Sequence, residues 1–189
     1  MSDIFQRGLQ EHLRLFEGLA PLCADIGRAG DLIAAALRGG RKLMLCGNGG
    51  SAADSQHIAA ELAGRFVNDR RPLAAVALST DTSTMTCIAN DYTFDEVFSR
   101  QVLGLGQRGD CLLAISTSGN SRNVIRAAEV ARGAGVQVIG LLGKGGGALR
   151  DLCDVPLVVP SQTTARIQEA HIFVGHILCA VVEEELGLA

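Results

Sequence analysis

His57 and Glu61 stand four positions apart in the segment SAADSQHIAAEL. On a helix that spacing puts both side chains on one face, about one turn apart. A neutral imidazole beside a carboxylate suits Zn2+ or a similar divalent ion, and it equally suits a surface hydrogen bond on a solvated helix. A second set of polar groups, Arg166, Gln168, Glu169, His171 and His176, interrupts an apolar stretch near the carboxyl end. Gln168 and His176 project within about 80° of each other, but their Cα atoms lie roughly 12 Å apart along a straight helix. Both reach one ion only by leaning together or from different subunits. His12 and His171 read as solvated or packing residues.

A third group offers different chemistry. The apolar run Leu112–Ile115 reads as a strand, Ser116-Thr117-Ser118-Gly119-Asn120-Ser121 as a turn, and a helical pattern follows from Asn123. Free backbone N–H groups at a helix start, together with the hydroxyls of Ser116, Thr117, Ser118 and Ser121, make a neutral cradle for a phosphate. The plainer reading is that Ser121 caps the helix and the other hydroxyls make a polar turn. Two nucleotide motifs fail. Gly143-Lys144 is followed by Gly145 and lacks the upstream spacing of a P-loop; Gly47-Asn48-Gly49 lacks the third glycine of a dinucleotide fingerprint, where Ala52 stands. A sugar phosphate fits better than a nucleotide.

The elements that must position these groups alternate. Residues 2–38 carry helical periodicity broken at Pro21, and two leading helices need a later domain or another subunit to cover them. Strands are expected at Lys42–Cys46, Leu73–Leu78, Cys111–Ile115, Val136–Leu142 and Val155–Val159. Helices are expected from Ala52 to about Phe66, over Phe94–Leu105, from Asn123 to Gly133 and over Gln162–Leu186, with Thr80–Asn90 a polar turn region that has room for a short helix. Continuous apolar strands between helices imply a parallel α/β sheet covered on both faces, with ligands beyond the strands' carboxyl ends. Three turns fall there: Gly47–Ser51, Ser116–Ser121 and Gly143–Gly147. The 189 residues read as one domain, 1–189, with 1–38 as a helical extension.

Composition narrows the setting. A net charge of −3 carries no basic excess, so nucleic acid is not the expected partner. Six scattered cysteines form no CxxC pair, which fits free thiols in a reducing cytoplasm. No signal-peptide pattern opens the chain and no apolar run reads as long enough to span a bilayer.

Four segments, CGNGGSAADSQHIAAEL, IANDYTFDEVFSRQV, ISTSGNS and RIQEAHIFVGH, together resemble the phosphoheptose isomerases of the SIS, or sugar isomerase, family nearly end to end. The resemblance implies a flavodoxin-like, doubly wound five-stranded parallel sheet with two extra N-terminal helices. It also implies a homotetramer with active sites at subunit interfaces. Asn48, Gly49, Gly50 and Ser51 match a substrate-binding turn, Asn90 and Asp91 a substrate-contacting pair, and Ser116, Thr117, Ser118 and Ser121 the phosphate loop. His57, Glu61, Gln168 and His176 match zinc ligands; Glu61 and Gln168 also contact substrate, and Glu61 and His176 are the implied base and acid. The implied reaction interconverts sedoheptulose 7-phosphate and D-glycero-D-manno-heptose 7-phosphate, the first step toward nucleotide-activated heptose for lipopolysaccharide or capsule. A rival is a non-enzymatic SIS protein that binds the bacterial replication initiator. The presence of both Glu61 and His176 favours the enzyme. A sugar-phosphate sensor would need a DNA-binding module, and no helix-turn-helix segment is present.

Overall fold

The computed structural model describes residues 2–189. Its strands are β1 (Leu43–Cys46), β2 (Ala75–Ala77), β3 (Cys111–Ser116), β4 (Gln137–Leu142) and β5 (Val155–Val158). They form one five-stranded sheet in the order β2-β1-β3-β4-β5, every pair parallel. This is the doubly wound flavodoxin-like order, in which the chain reverses direction across the sheet between β1 and β3.

Successive side chains on a strand face opposite sides, so one sheet serves two cores. Leu43, Leu45, Leu113 and Leu141 pack with α2 (Cys23–Arg38), α3 (Gly50–Ala63) and α7 (Thr164–Glu185). Met44, Leu112, Val138 and Leu142 pack on the other side, chiefly with α5 (Ser99–Leu105) and α6 (Arg122–Ala134). The first helix, α1 (Ser2–Glu17), rests on α7 through Leu15, Ile167 and Ala170 but leaves Ile4 and Phe5 exposed.

Several elements depart from expectation, each for a local reason. The helix expected to reach Phe66 ends at Ala63, where Gly64 leaves helical geometry. The region Thr80–Asn90 is a full helix, α4 (Thr82–Asp91), because the Asp81 carboxylate caps it by accepting from Thr84 N at 3.0 Å. The helix expected over Phe94–Leu105 divides into a single 3-10 turn, Phe94–Glu96, and α5. The edge strand β2 is shorter than Leu73–Leu78. Finally, α7 runs 22 residues and holds an 18-residue window of mean hydropathy 1.2, so by length and composition it does reach a membrane span. It packs instead on α2 and α3 as the central helix of one core.

Candidate active site

The turn after β1 and the turn after β3 flank the point where strand order reverses. In doubly wound sheets that is where a crevice opens. The first turn depends on Gly49, whose φ of +55° lets the chain swing into α3. Asn48 and Asn123 then join the two turns by a reciprocal amide pair. Each Nδ2 donates to the other's Oδ1 at 2.8 Å, and Asn123 Oδ1 also accepts from Val124 N at 3.0 Å.

Ser121 occupies the N-cap position of α6, yet its hydroxyl does not cap the helix. It bonds Ser116 Oγ at 2.9 Å, and Ser116 Oγ accepts from Gly119 N at 3.1 Å. The plainer reading of Ser121 as a simple cap therefore fails. The turn is a closed ring of hydroxyls and amides at a helix start, an arrangement suited to an anion. The third glycine-rich turn, Gly143–Gly147, braces this ring. Leu149 N donates to Gly119 O at 2.9 Å and Ala148 N to Asn120 Oδ1 at 3.0 Å. Gly119 itself has a φ of +65°, and a side chain there would run into the Gly146 carbonyl.

The helix that opens at Gly50 carries His57 and Glu61 toward α7. The two helices come close because Gly175 has no side chain; a Cβ there would lie 2.6 Å from Ile58 Cδ1. The next residue, His176, thereby meets the α3 pair. His57 Nε2 lies 2.8 Å from His176 Nε2 and 3.2 Å from Glu61 Oε1. All three residues offer donor atoms within 4.8 Å of one another. At that separation one imidazole donates its Nε2 proton to the other, and a bound cation would take the place of that proton. Two imidazoles and a carboxylate are the donor set of a divalent site, so these residues fit a zinc-like ion. Gln168 enters α7 earlier, and its amide lies against Gly50 at the start of α3. Asn90 and Asp91 are exposed at the end of α4, where Asn90 Nδ2 donates to Asp91 Oδ1 at 2.8 Å.

His12 and His171 serve packing. His12 stacks on Phe16 at 4.0 Å and bonds Glu169 Oε2 at 2.8 Å. His171 is wholly buried beside the Leu142 backbone, without a well-formed hydrogen bond to either ring nitrogen, and burial pushes its pKa down to about 4. Sequence reading passed over Asp54, one turn before His57 on α3. Its Oδ2 is buried without a partner, and burial raises its pKa while His57 partly offsets the rise. The signal was available, since Asp54, His57 and Glu61 share the helical spacing of one stripe.

A family model described as SIS domain matches residues 10–143. β5 and α7 lie beyond that match but complete the same sheet and core. The chain is 55% identical to a phosphoheptose isomerase of Nitratiruptor sp., over 97% of this chain and 99% of the relative. Among solved structures, a phosphoheptose isomerase of Neisseria gonorrhoeae superposes with a TM-score of 0.92 at 44% identity, covering 97% of this chain and 98% of the other. One from Francisella tularensis gives 0.93 at 35% identity, covering 96% and 97%.

Proposed function

The chain belongs to the SIS-domain family, within the phosphoheptose isomerases, and on that premise we infer that it interconverts sedoheptulose 7-phosphate and D-glycero-D-manno-heptose 7-phosphate. The chemistry moves one proton between C1 and C2 through an enediol or enediolate, at the head of heptose biosynthesis for lipopolysaccharide or capsule. The whole of residues 1–189 acts as one SIS domain in this reading, in the cytoplasm, where free cysteines suit a reducing setting.

The substrate phosphate sits in the ring of Ser116, Thr117, Ser118 and Ser121. Asn48, Gly49, Gly50 and Ser51, with Asn90, Asp91 and Gln168, hold the sugar between that ring and α3. The carboxylate of Glu61 takes the proton from carbon, and the imidazole of His176 gives a proton to the neighbouring oxygen. His57, Glu61, Gln168 and His176 would hold one Zn2+, which supplies positive charge beside the developing negative oxygen. A carboxylate beside a cation is a weaker base, so Glu61 would act as the base only while it is not held tightly as a ligand.

The observation that carries this reading is the convergence of His57, Glu61 and His176 from two distant segments. The site also looks incomplete in a single chain. The His57 side chain is 48% exposed and that of Glu61 24%, too open for chemistry that must exclude water. A homotetramer whose subunits cover one another's sites resolves this, and the exposed apolar face of α1 supports it. The initiator-binding alternative is not favoured.

The direct test adds sedoheptulose 7-phosphate to the purified protein and follows the anomeric proton of the product by NMR. Turnover that a chelator abolishes and Zn2+ restores is the expected result. Absence of turnover in the metal-loaded wild type overturns the assignment.

A further inference from the structure

Arg70 lies in the loop between α3 and β2, and its guanidinium is almost wholly buried. Its Nε donates to Glu183 Oε1 at 2.6 Å, and both side chains are 2% exposed. The remaining N–H groups are spent chiefly on the end of α3, with one further contact to Arg71 O in the loop itself. One terminal nitrogen donates to Leu62 O at 2.8 Å, Gly64 O at 3.1 Å and Arg71 O at 3.1 Å; the other donates to Glu61 O at 2.9 Å. A helix end leaves its last carbonyls without partners and carries negative charge, so a fixed guanidinium there answers both needs.

The other half of the pair reaches the opposite wall. Glu183 stands on α7 two helical turns beyond His176, on the same face. Its Oε1 also accepts from Phe66 N at 3.3 Å, and the Phe66 ring lies 5.6 Å from the His176 ring. One ion pair thus grips the backbone of Glu61 on one helix and the helix of His176 on the other.

Desolvating two charges is costly, and a well-packed apolar pair generally stabilises a fold as well or better. What an apolar pair cannot do is aim carbonyls and fix two helices in one register. We propose that Arg70 and Glu183 are positioning residues that hold α3 and α7 at the separation the His57–Glu61–His176 cation site requires. The proposal rests on the divalent-cation reading of that site. Outer groups that orient metal ligands typically change affinity by about 10–100-fold when removed.

The test titrates Co2+ into chelator-stripped, full-length protein and reads the visible absorption bands and the dissociation constant. The variants are Glu183→Gln, Arg70→Lys and the apolar pair Arg70→Met with Glu183→Leu; each is also melted without metal. Affinity for Co2+ should fall roughly 10–100-fold with altered bands, while the metal-free apolar pair melts close to wild type. Arg70→Lys keeps the charge without the fork and should fall between. Wild-type affinity and bands in the variants, with or without a lowered melting point, overturn the proposal and leave the cation reading standing. A wild type that binds no Co2+ removes the cation reading and the proposal with it. Should the apolar pair fail to fold, Arg70→Lys and Glu183→Gln decide on the same readouts.

Discussion

At the scale of single residues, the proposed chemistry concentrates on Glu61. Its carboxylate lies beside His57 and near His176, and only an ionised carboxylate can take a proton from carbon. Glu61→Gln preserves size and removes the base. Turnover of sedoheptulose 7-phosphate should fall by about 10²–10⁴-fold, with an unchanged circular dichroism spectrum. A variant that retains wild-type turnover would move the base elsewhere. His171 makes a separate prediction about stability. Its folded pKa of about 4 lies below the ordinary value of 6.5 because burial disfavours the charged ring. Folding therefore gains fully from this residue above pH 6.5 and loses the gain as pH falls toward 4. Between pH 7 and 5 the loss is about 2 kcal/mol. Urea unfolding of wild type and His171→Gln should show the wild type losing that much more over the interval.

At the scale of elements, the hydroxyl turn proposed to hold the phosphate depends on glycine at position 119. With a φ of +65° and the Gly146 carbonyl pressed against it, Gly119 has no room for a methyl group. Gly119→Ala should cost upwards of about 1–2 kcal/mol from the backbone alone and should raise KM more than it lowers kcat. Thermal unfolding and steady-state kinetics check the two parts. The elements also show which information was legible in the chain. The α3 face of His57 and Glu61 was readable because helical period turns spacing into direction. The β-α alternation was readable because fully buried strands appear as unbroken apolar runs. The meeting of α3 with α7 was not, since it depends on the side-chain-free face of Gly175 more than a hundred positions away from Ile58. The full length of α4 was not legible because its threonines are weak helix formers, although Asp81 three residues before Thr84 was the cap signal. Arg70 belongs to none of the groups that residue type and spacing single out in the sequence. Its role depends on which carbonyls the end of α3 leaves open, and no local pattern records that.

At the scale of the molecule, the surface is asymmetric. The outer face of α1 carries Ile4 at 70% exposure, Phe5 at 68% and Leu13 at 52%, apolar side chains presented to water on an amphipathic helix. Beside it a groove of about 460 Å³, lined by Phe16, Leu19, Ile26, Phe173 and Val181 among others, runs between α1, α2 and α7. Apolar surface of this kind marks an interface, and closed homo-oligomers are its commonest resolution. The same helix α7 that forms one wall of the groove carries His176, so the proposed assembly and the proposed cation site share an element. Light scattering on the purified protein should therefore report a tetramer. Phe5→Asp combined with Leu9→Asp places two carboxylates on the α1 face and should dissociate it into smaller species with native circular dichroism. If subunits complete one another's sites, turnover per chain must fall with the tetramer fraction on dilution of this variant. A dissociated form with full activity would show that each chain closes its own site.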